Sequence, residues 1–174
     1  MNEVLKYEKT LYFRDTKHYI QSWITRDHNY LIWKYICCLR KEEDTNNKIL
    51  KYWHRRRKNI LGARLGFLIY EGSCGKGLKI WHYGNIIING YSKIGENCVL
   101  HGQNCIGNKG DSSPLDAPTI GNNVDIGVGA SIIGGVFIAD DVKIGAGAVV
   151  TKSCYEKGAT LVGIPAYIKN NMDK

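Results

Sequence analysis

Large apolar residues recur at every sixth position over two stretches of the 174-residue chain. The first run is Ile88, Ile94, Leu100 and Ile106, and the second is Ile120, Ile126, Ile132, Ile138, Ile144 and Val150. An amphipathic helix needs apolar residues three and four positions apart, and a half-buried strand needs them at alternate positions. Neither explains a period of six, which predicts a short strand with one inward side chain followed by a tight turn.

Small residues accompany the large ones in this repeat. A Gly or Ala directly follows six of the ten apolar positions, at Gly95, Gly107, Gly121, Gly127, Ala139 and Gly145. Glycine adopts turn dihedrals that other residues avoid, so it suits the corner after a strand. Three such units would close a triangular coil of roughly 18 residues, and stacked coils would bury each other's apolar side chains. The sequence therefore predicts a mainly β protein in which coils stack into a parallel β-helix.

Several motifs resemble those of one known family. They are Gly75–Gly84 (GKGLKIWHYG), Leu100–Gly102 (LHG), Ile106–Gly110 (IGNKG), Ala117–Gly121 (APTIG), Ile144–Val150 (IGAGAVV) and Val162–Ala166 (VGIPA). Over roughly residues 60–169, the chain resembles the hexapeptide-repeat acyltransferases of the serine acetyltransferase branch, and most closely those relatives that acetylate capsular or exopolysaccharide sugars. The resemblance implies a left-handed parallel β-helix, although crossovers between parallel strands are usually right-handed.

Three segments are predicted along the chain. Residues 1–66 lack the period of six, and apolar residues on one helical face predict an N-terminal segment of two or three helices, with Gly62 and Gly66 ending the last. Residues 67–154 are predicted to form the left-handed β-helix, which ends near Val150, and residues 155–174 a C-terminal extension with a basic tail. Ile106 and Ile120 are 14 positions apart where six would suffice, which predicts a projecting loop over Asn108–Thr119.

Charge and cysteine content restrict the partners and the compartment. The formal charge of +8 predicts an acidic partner, and a phosphate-rich cofactor or a polyanionic sugar serves as well as a nucleic acid, for which no motif is present. The six cysteines lack metal-ligand spacing, so we expect free thiols in a reducing cytosol and no metal. A charged N-terminus without a signal peptide, and no apolar run long enough to span a bilayer, predict a cytoplasmic protein.

The strongest charge run is Arg55, Arg56, Arg57 and Lys58, on a predicted helix. One interpretation is a solvated helix face. The other is a contact with an anionic acceptor polymer or with a membrane surface. The sequence leaves both open.

Two histidines lie within the repeats, His82 and His101, about one coil apart. Acyl transfer from a thioester to a hydroxyl needs a base that takes the hydroxyl proton, and imidazole suits that task near neutral pH. The resemblance implies that His82 is the catalytic histidine. His101 is a second catalytic candidate, at a position where the family has either His or Gln.

The predicted acceptor site departs from the family pattern. Phe67 stands where the family has the Asp that pairs with the catalytic histidine, and Trp81 replaces an Asp directly before it. Asp116-Ala117 replaces the Arg-His pair that holds the carboxylate of serine. A carboxylate should repel serine and suit sugar hydroxyls, so we expect Asp116, together with Tyr83 and Asn85, to bind a sugar acceptor.

The donor implied by the resemblance is acetyl-CoA, used as a co-substrate. Its pantetheine arm would lie along Asn108, Gly129, Ala130, Ala146 and Gly147, and its phosphates would meet Lys109, Lys143, Lys152 and Lys169. Such enzymes are usually trimers with the active site between neighbouring β-helices, so we expect a homotrimer.

Three functions are therefore weighed. The first is an acetyl-CoA-dependent O-acetyltransferase that modifies a sugar hydroxyl of a capsular or exopolysaccharide unit. The second is serine O-acetyltransferase of cysteine biosynthesis. The third comes from another class, a non-catalytic structural β-helix or a metal protein like the γ-carbonic anhydrases, although two repeat histidines without ligand spacing do not favour a metal site.

Overall fold

The computed structural model describes residues 3–110 and 116–169, and the described chain begins with four helices. They are α1 (Glu3–Tyr12), α2 (Thr16–Thr25), α3 (His28–Asp44) and α4 (Lys48–Leu65). Asp15, Asp27 and Asn47 begin the last three, because each side chain accepts hydrogen bonds from N–H groups of the first turn. The helical segment thus has one helix more than the upper number predicted.

Short strands then form three sheets, one on each side of a triangular coil. The first sheet contains β1 (Phe67–Ile69), β3 (Ile86–Ile88), β6 (Cys105–Gly107), β9 (Ser131–Ile133) and β12 (Val149–Val150). The second contains β4 (Lys93–Ile94), β7 (Thr119–Ile120) and β10 (Phe137–Ile138). The third contains β2 (Lys79–Ile80), β5 (Val99–Leu100), β8 (Asp125–Ile126), β11 (Lys143–Ile144), β13 (Thr160–Val162) and β14 (Tyr167–Ile168).

The register explains the period of six. Ile88, Ile106, Ile132 and Val150 stand side by side on consecutive strands of the first sheet. The other two sheets have equivalent rows, and every member of these rows is buried. Each large apolar residue therefore points into a core shared by adjacent coils, and the predicted mainly β fold with a helical N-terminal segment is confirmed.

Two parts of the β-helix are irregular. Ile106 pairs with Ile132 rather than with a residue 18 positions later, because the predicted loop adds eight residues to that coil. Of this loop, residues 111–115 lie outside the described residues. The third sheet also continues past Val150, where the period predicts its end, since β13 pairs in parallel with β11. The division into residues 1–66, 67–154 and 155–174 stays a prediction.

The helices are fixed to the first coil by a buried ion pair. The Arg40 guanidinium donates to the Glu8 carboxylate at 2.8 Å and to the backbone carbonyls of Cys74 and Gly75. Glu8 also accepts hydrogen bonds from the N–H groups of Gly77 and Leu78. Because both side chains are buried, this network joins α1, α3 and the coil into one unit.

A second close contact corrects the predicted end of α4. Only Gly66, in the left-handed region with φ of 76°, ends the helix. Gly62 lies inside α4, and a Cβ there would approach the carbonyl oxygen of Phe67 to 2.5 Å. The glycine at 62 therefore allows the helix to contact β1 closely instead of terminating it.

Candidate functional site

One edge of the β-helix collects most of the candidate residues. It is formed by the turns from the third sheet to the first, at residues 81–85, 101–104, 127–130 and 145–148, which we call the histidine corner. The turns from the first sheet to the second, including residues 108–110 and 116–118, form a different edge, which we call the loop corner.

His82 lies exposed on the histidine corner, directly after β2. Gly102, one coil above, lies against it, since a Cβ there would be 3.5 Å from the His82 Cβ. The ring of His28, the first residue of α3, has its centroid 6.2 Å from that of His82. His82 makes no side-chain hydrogen bond within the described part of the chain, so it is accessible to a substrate.

Phe67 cannot orient this histidine. It pairs with Ile86 in the first sheet, and its buried ring packs edge-on against Tyr35 with centroids 5.1 Å apart. A buried aromatic side chain thus occupies the position at which the family has the aspartate that pairs with the catalytic histidine.

His101 has the carboxylate partner that His82 lacks. Its Nε2 lies 2.8 Å from Oδ1 of Asp125, and the Trp81 ring lies on its other side with centroids 6.2 Å apart. Asp125 was not among the predicted site residues. It is 24 positions after His101, which is two fewer than the 26-residue coil that contains the loop. The lengthened coil is the signal that would have revealed this diagonal pair.

Lys79 is a buried cation beneath the histidine corner. Its Nζ donates to the carbonyl oxygen of Leu11 at 2.6 Å and lies over the rings of Tyr12 and Trp81. Burial lowers the pKa of Lys79 to about 8. Lys79 therefore contacts both helix α1, through Leu11 and Tyr12, and Trp81 of the histidine corner.

The other predicted acceptor residues are divided between the two corners. Tyr83 and Asn85 are exposed on the histidine corner, next to His82. Asp116 is half-buried on the loop corner, and Ala117 beside it is buried. Within one chain, His82 and Asp116 therefore belong to different edges of the β-helix.

The predicted donor residues are divided in the same way. Gly129 and Gly147, both in the left-handed region, lie on adjacent coils of the histidine corner beside the exposed Ala146, whereas the Ala130 methyl is fully buried. On the loop corner, Asn108 accepts a hydrogen bond from Asn89, and Lys109 contacts Gly134. The remaining lysines are exposed at three other places, Lys143 on β11, Lys152 after β12 and Lys169 after β14.

Three properties of the described residues concern possible metal ligands, reactive thiols and membrane-spanning helices. No group of three or more His, Cys, Asp and Glu side chains there could hold a metal ion. The cysteines are free, and burial raises the pKa of the Cys74 thiol to about 12 and that of Cys98 to about 11. Among residues 3–110 and 116–169, no helix has the length and apolar character that a membrane crossing requires.

Known proteins resemble the chain in both sequence and structure. It is 37% identical over 122 residues to a serine acetyltransferase of Helicobacter pylori, covering 65% of this chain and 71% of that one. It is 34% identical over 104 residues to the serine acetyltransferase of Synechococcus elongatus, covering 59% of this chain but only 42% of the relative. No sequence-family profile matches the chain.

Solved structures show the same fold. A serine acetyltransferase from Neisseria gonorrhoeae superimposes with a TM-score of 0.73 over 97% of this chain and 66% of that one, at 24% identity. The form of that enzyme in complex with serine gives 0.63 over 80% and 56%, at 28% identity. A serine acetyltransferase in complex with CoA gives 0.64 over 81% and 56%, at 23% identity. These neighbours identify the coil as the left-handed parallel β-helix that was predicted.

The comparisons also correct one prediction. A sugar hydroxyl as the acceptor is wrong, because the relatives at 34–37% identity and the structural neighbours are serine acetyltransferases. They favour the second of the three functions weighed from the sequence. The error came from treating Asp116 as decisive, although an amino acid carries a cationic group as well as a carboxylate.

Proposed function

The chain belongs to the serine acetyltransferase family, and from that premise we propose that it transfers the acetyl group of acetyl-CoA to the hydroxyl group of L-serine. The observation that carries the proposal is the shared sequence segment, 37% identical to a serine acetyltransferase, which includes the exposed His82. The chain covers less than two thirds of several relatives, so their activity is assigned to it here as a proposal.

In this reaction His82 acts as the general base. The serine oxygen attacks the thioester carbonyl carbon, the carbon–sulfur bond breaks, and the hydroxyl proton passes through the imidazole to the departing thiolate of CoA. The accessibility of His82 supports this role, since the base must reach the hydroxyl proton directly. His101, whose imidazole is oriented by Asp125, lies on the next coil and lines the same corner of the β-helix as His82.

Asp116 has a different role from the one that the sugar acceptor required. A carboxylate repels the carboxylate of serine, but it attracts the α-ammonium group. We assign that contact to Asp116, with Tyr83 and Asn85 beside the hydroxyl end of the substrate. Half-burial of Asp116 supports the assignment, because a partly desolvated ion pair is stronger than one in water.

The donor and the acceptor meet between two copies of the chain. Gly129, Ala146 and Gly147 line the pantetheine arm on the histidine corner of one copy, over the buried Ala130, with Lys143 and Lys169 along its third sheet. Asn108, Lys109, Lys152 and Asp116 come from the loop corner or its continuation on the next copy. The separation of these residues in one chain supports such a shared site, and we propose a homotrimer.

An outward apolar row on the first sheet supports this assembly. Leu68 and Ile87 stand side by side on β1 and β3 with 50% and 46% of their surface exposed. Cys105, Ser131 and Val149 continue the same row on the following strands. Covering the exposed apolar side chains of this sheet face with another copy of the chain removes them from water and stabilises the assembly.

Thiol release from acetyl-CoA in the presence of L-serine tests the function. We expect saturable turnover with L-serine, and His82→Ala should reduce kcat at least about 100-fold, the usual contribution of a general base. His101→Ala should reduce it less. Turnover with another hydroxyl compound but none with L-serine would contradict the acceptor, and full activity of His82→Ala would contradict the base.

A further inference from the structure

An apolar and basic surface on α4 takes no part in the site described above. It consists of Ile49, Tyr52, Trp53, Arg56, Arg57, Ile60, Ala63 and Arg64, which follow one face of the helix at spacings of three and four, and we call it the α4 face. All of these residues are exposed. The opposite side of α4, with Gly62 and Leu65, is buried against the rest of the protein.

The apolar members of the α4 face are unusually large for residues in water. Ile49 is 80% exposed, Tyr52 68% and Trp53 48%. From Ile49 to Ile60 they extend over three turns, or about 17 Å of helix. Two of them, Tyr52 and Ile60, line a shallow groove of about 530 Å³ together with Arg55, Arg56, Asn59 and Ala63. Exposed apolar area of this kind marks a surface that another molecule covers.

The charge of the α4 face identifies the kind of partner. Helix α4 contains seven Lys and Arg residues and no acidic residue. Three of the cations are neutralised inside the protein, because Lys51 pairs with Glu71, Arg55 with Glu42 and Glu71, and Lys58 with Glu42. Lys48, Arg56, Arg57 and Arg64 have no carboxylate partner in the described part of the chain. The face therefore combines large apolar side chains with three arginines, Arg56, Arg57 and Arg64, that no carboxylate in the described residues neutralises.

A second copy of the α4 face is a poor partner, since its arginines would meet arginines. A nucleic acid would match the charge but would leave the isoleucines uncovered. An anionic bilayer matches both properties, because apolar side chains enter the boundary of the acyl chains while Trp, Tyr and Arg remain among the headgroups. Arg57 already lies over the Trp53 ring, with its guanidinium carbon 4.5 Å from the ring centroid, as expected at such a boundary.

We propose that the α4 face binds the surface of membranes that contain anionic phospholipids. Helix α4 lies in the plane of the headgroups, with Ile49, Trp53 and Ile60 inserted and Arg56, Arg57 and Arg64 paired with lipid phosphates. This attachment is peripheral and reversible, and it does not depend on acetyl transfer.

Sedimentation with vesicles tests the proposal on the full chain. We expect binding to vesicles of phosphatidylcholine with phosphatidylglycerol, little binding to phosphatidylcholine alone, and loss of binding at high salt because the phosphate contacts are screened. Arg56→Gln combined with Arg57→Gln should weaken the binding roughly 30-fold, since each cation near such a surface contributes a factor of about five. Both arginines are exposed, so we expect this variant to stay folded, and circular dichroism checks that it does.

A matched control removes the same charge elsewhere. Lys76→Gln combined with Lys157→Gln neutralises two exposed lysines of the β-helix, each in a surface ion pair. We expect it to bind vesicles within about twofold of the wild type, because the charges lie outside the α4 face. Equal weakening by both double variants would reduce the effect to net charge and overturn the proposal.

The apolar contribution and the other partners are tested separately. Trp53→Ala should also weaken binding, and Trp53 fluorescence should shift to the blue and be quenched by brominated lipid. Two results would overturn the proposal. One is a lipid-free assembly that Arg56→Gln with Arg57→Gln disrupts, which would mean that a second copy covers the face. The other is binding to a single-stranded oligonucleotide that is tighter than binding to vesicles and needs the same arginines.

Discussion

The pair formed by His101 and Asp125 leads to a prediction about coupling. Asp125 contacts the site through His101, at 2.8 Å, so its effect on catalysis should pass through that imidazole. Asp125→Asn should therefore reduce kcat by the same factor as His101→Ala, and the double variant should be no slower than either. Steady-state kinetics of the four proteins measures this. Additive losses would show that Asp125 acts independently of His101.

Lys79 leads to a prediction about pH. Its pKa of about 8 in the folded protein is below the ordinary value of 10.5, so the unfolded chain binds more protons between these two pH values. The cost of burying the charged lysine is fully present below pH 8 and disappears as the pH rises towards 10. Lys79→Met should thus be more stable than the wild type at pH 7, with the difference shrinking between pH 8 and 10.

Urea unfolding at several pH values measures that difference directly. Comparing the two proteins removes the opposing contribution of the buried cysteines, whose raised pKa values act in the other direction. A constant difference across the range would mean that Lys79 remains charged when folded. The contacts of the ammonium group with the Tyr12 and Trp81 rings would then have to stabilise the charged form enough to offset its burial.

The attachment of α1 and α3 to the first coil depends on Glu8. This buried carboxylate has Arg40 and two backbone N–H groups as partners, so Glu8→Gln leaves a buried cation with one anion fewer. We expect Glu8→Gln to lower the free energy of unfolding by about 3 kcal/mol, which is typical when one member of a buried ion pair is removed. Arg14→Gln is the control, because it breaks only the exposed pair with Asp15 and should leave the urea midpoint nearly unchanged. Equal urea midpoints for the two variants would refute the role of Glu8.

Gly62 and the caps of the helices explain how the segment reaches its position. The caps Asp15, Asp27 and Asn47 set where α2, α3 and α4 begin, which are local effects of side chains on nearby N–H groups. The position of Gly62 is a tertiary effect, since only the absence of a Cβ lets α4 contact the carbonyl of Phe67. The same residue type thus ends α4 at Gly66 and permits close packing at Gly62.

Assembly into a trimer should depend on the outward row of the first sheet. Ile87→Glu places a charge on the second strand of this row without touching the core, and it should convert the proposed trimer into a monomer. Sedimentation equilibrium should give three times the chain mass of 19.6 kDa for the wild type and the chain mass for the variant. Phe137→Glu is the control, an equivalent change on the second sheet. Dissociation by Phe137→Glu alone would move the contact to that sheet.

The repeating part of this protein can be predicted from its sequence alone. Each coil has the same few residues to bury, so the spacing of Ile88, Ile106 and Ile144 is sufficient to predict inward side chains, corners and stacked strands. The six motifs quoted from the sequence similarly sufficed for the serine acetyltransferase family, but the polysaccharide-modifying relatives that they favoured are not supported by the comparisons. The predicted sugar acceptor was wrong. Asp116 replaces the arginine that binds the carboxylate of serine, but an aspartate can still bind the ammonium group of serine.

Tertiary packing sets which side chains meet across coils of unequal length and across the junction with the helices. Asp125 reaches His101 because β5 and β8 are neighbours in the third sheet although the loop lengthens the coil between them, and Glu8 reaches Arg40 because two helices pack on one coil. The candidate donor residues and the candidate acceptor residues are each divided between two corners, because successive turns of one coil lie on different edges of the β-helix. Such contacts are set by how whole elements pack, and no local period in the sequence records them.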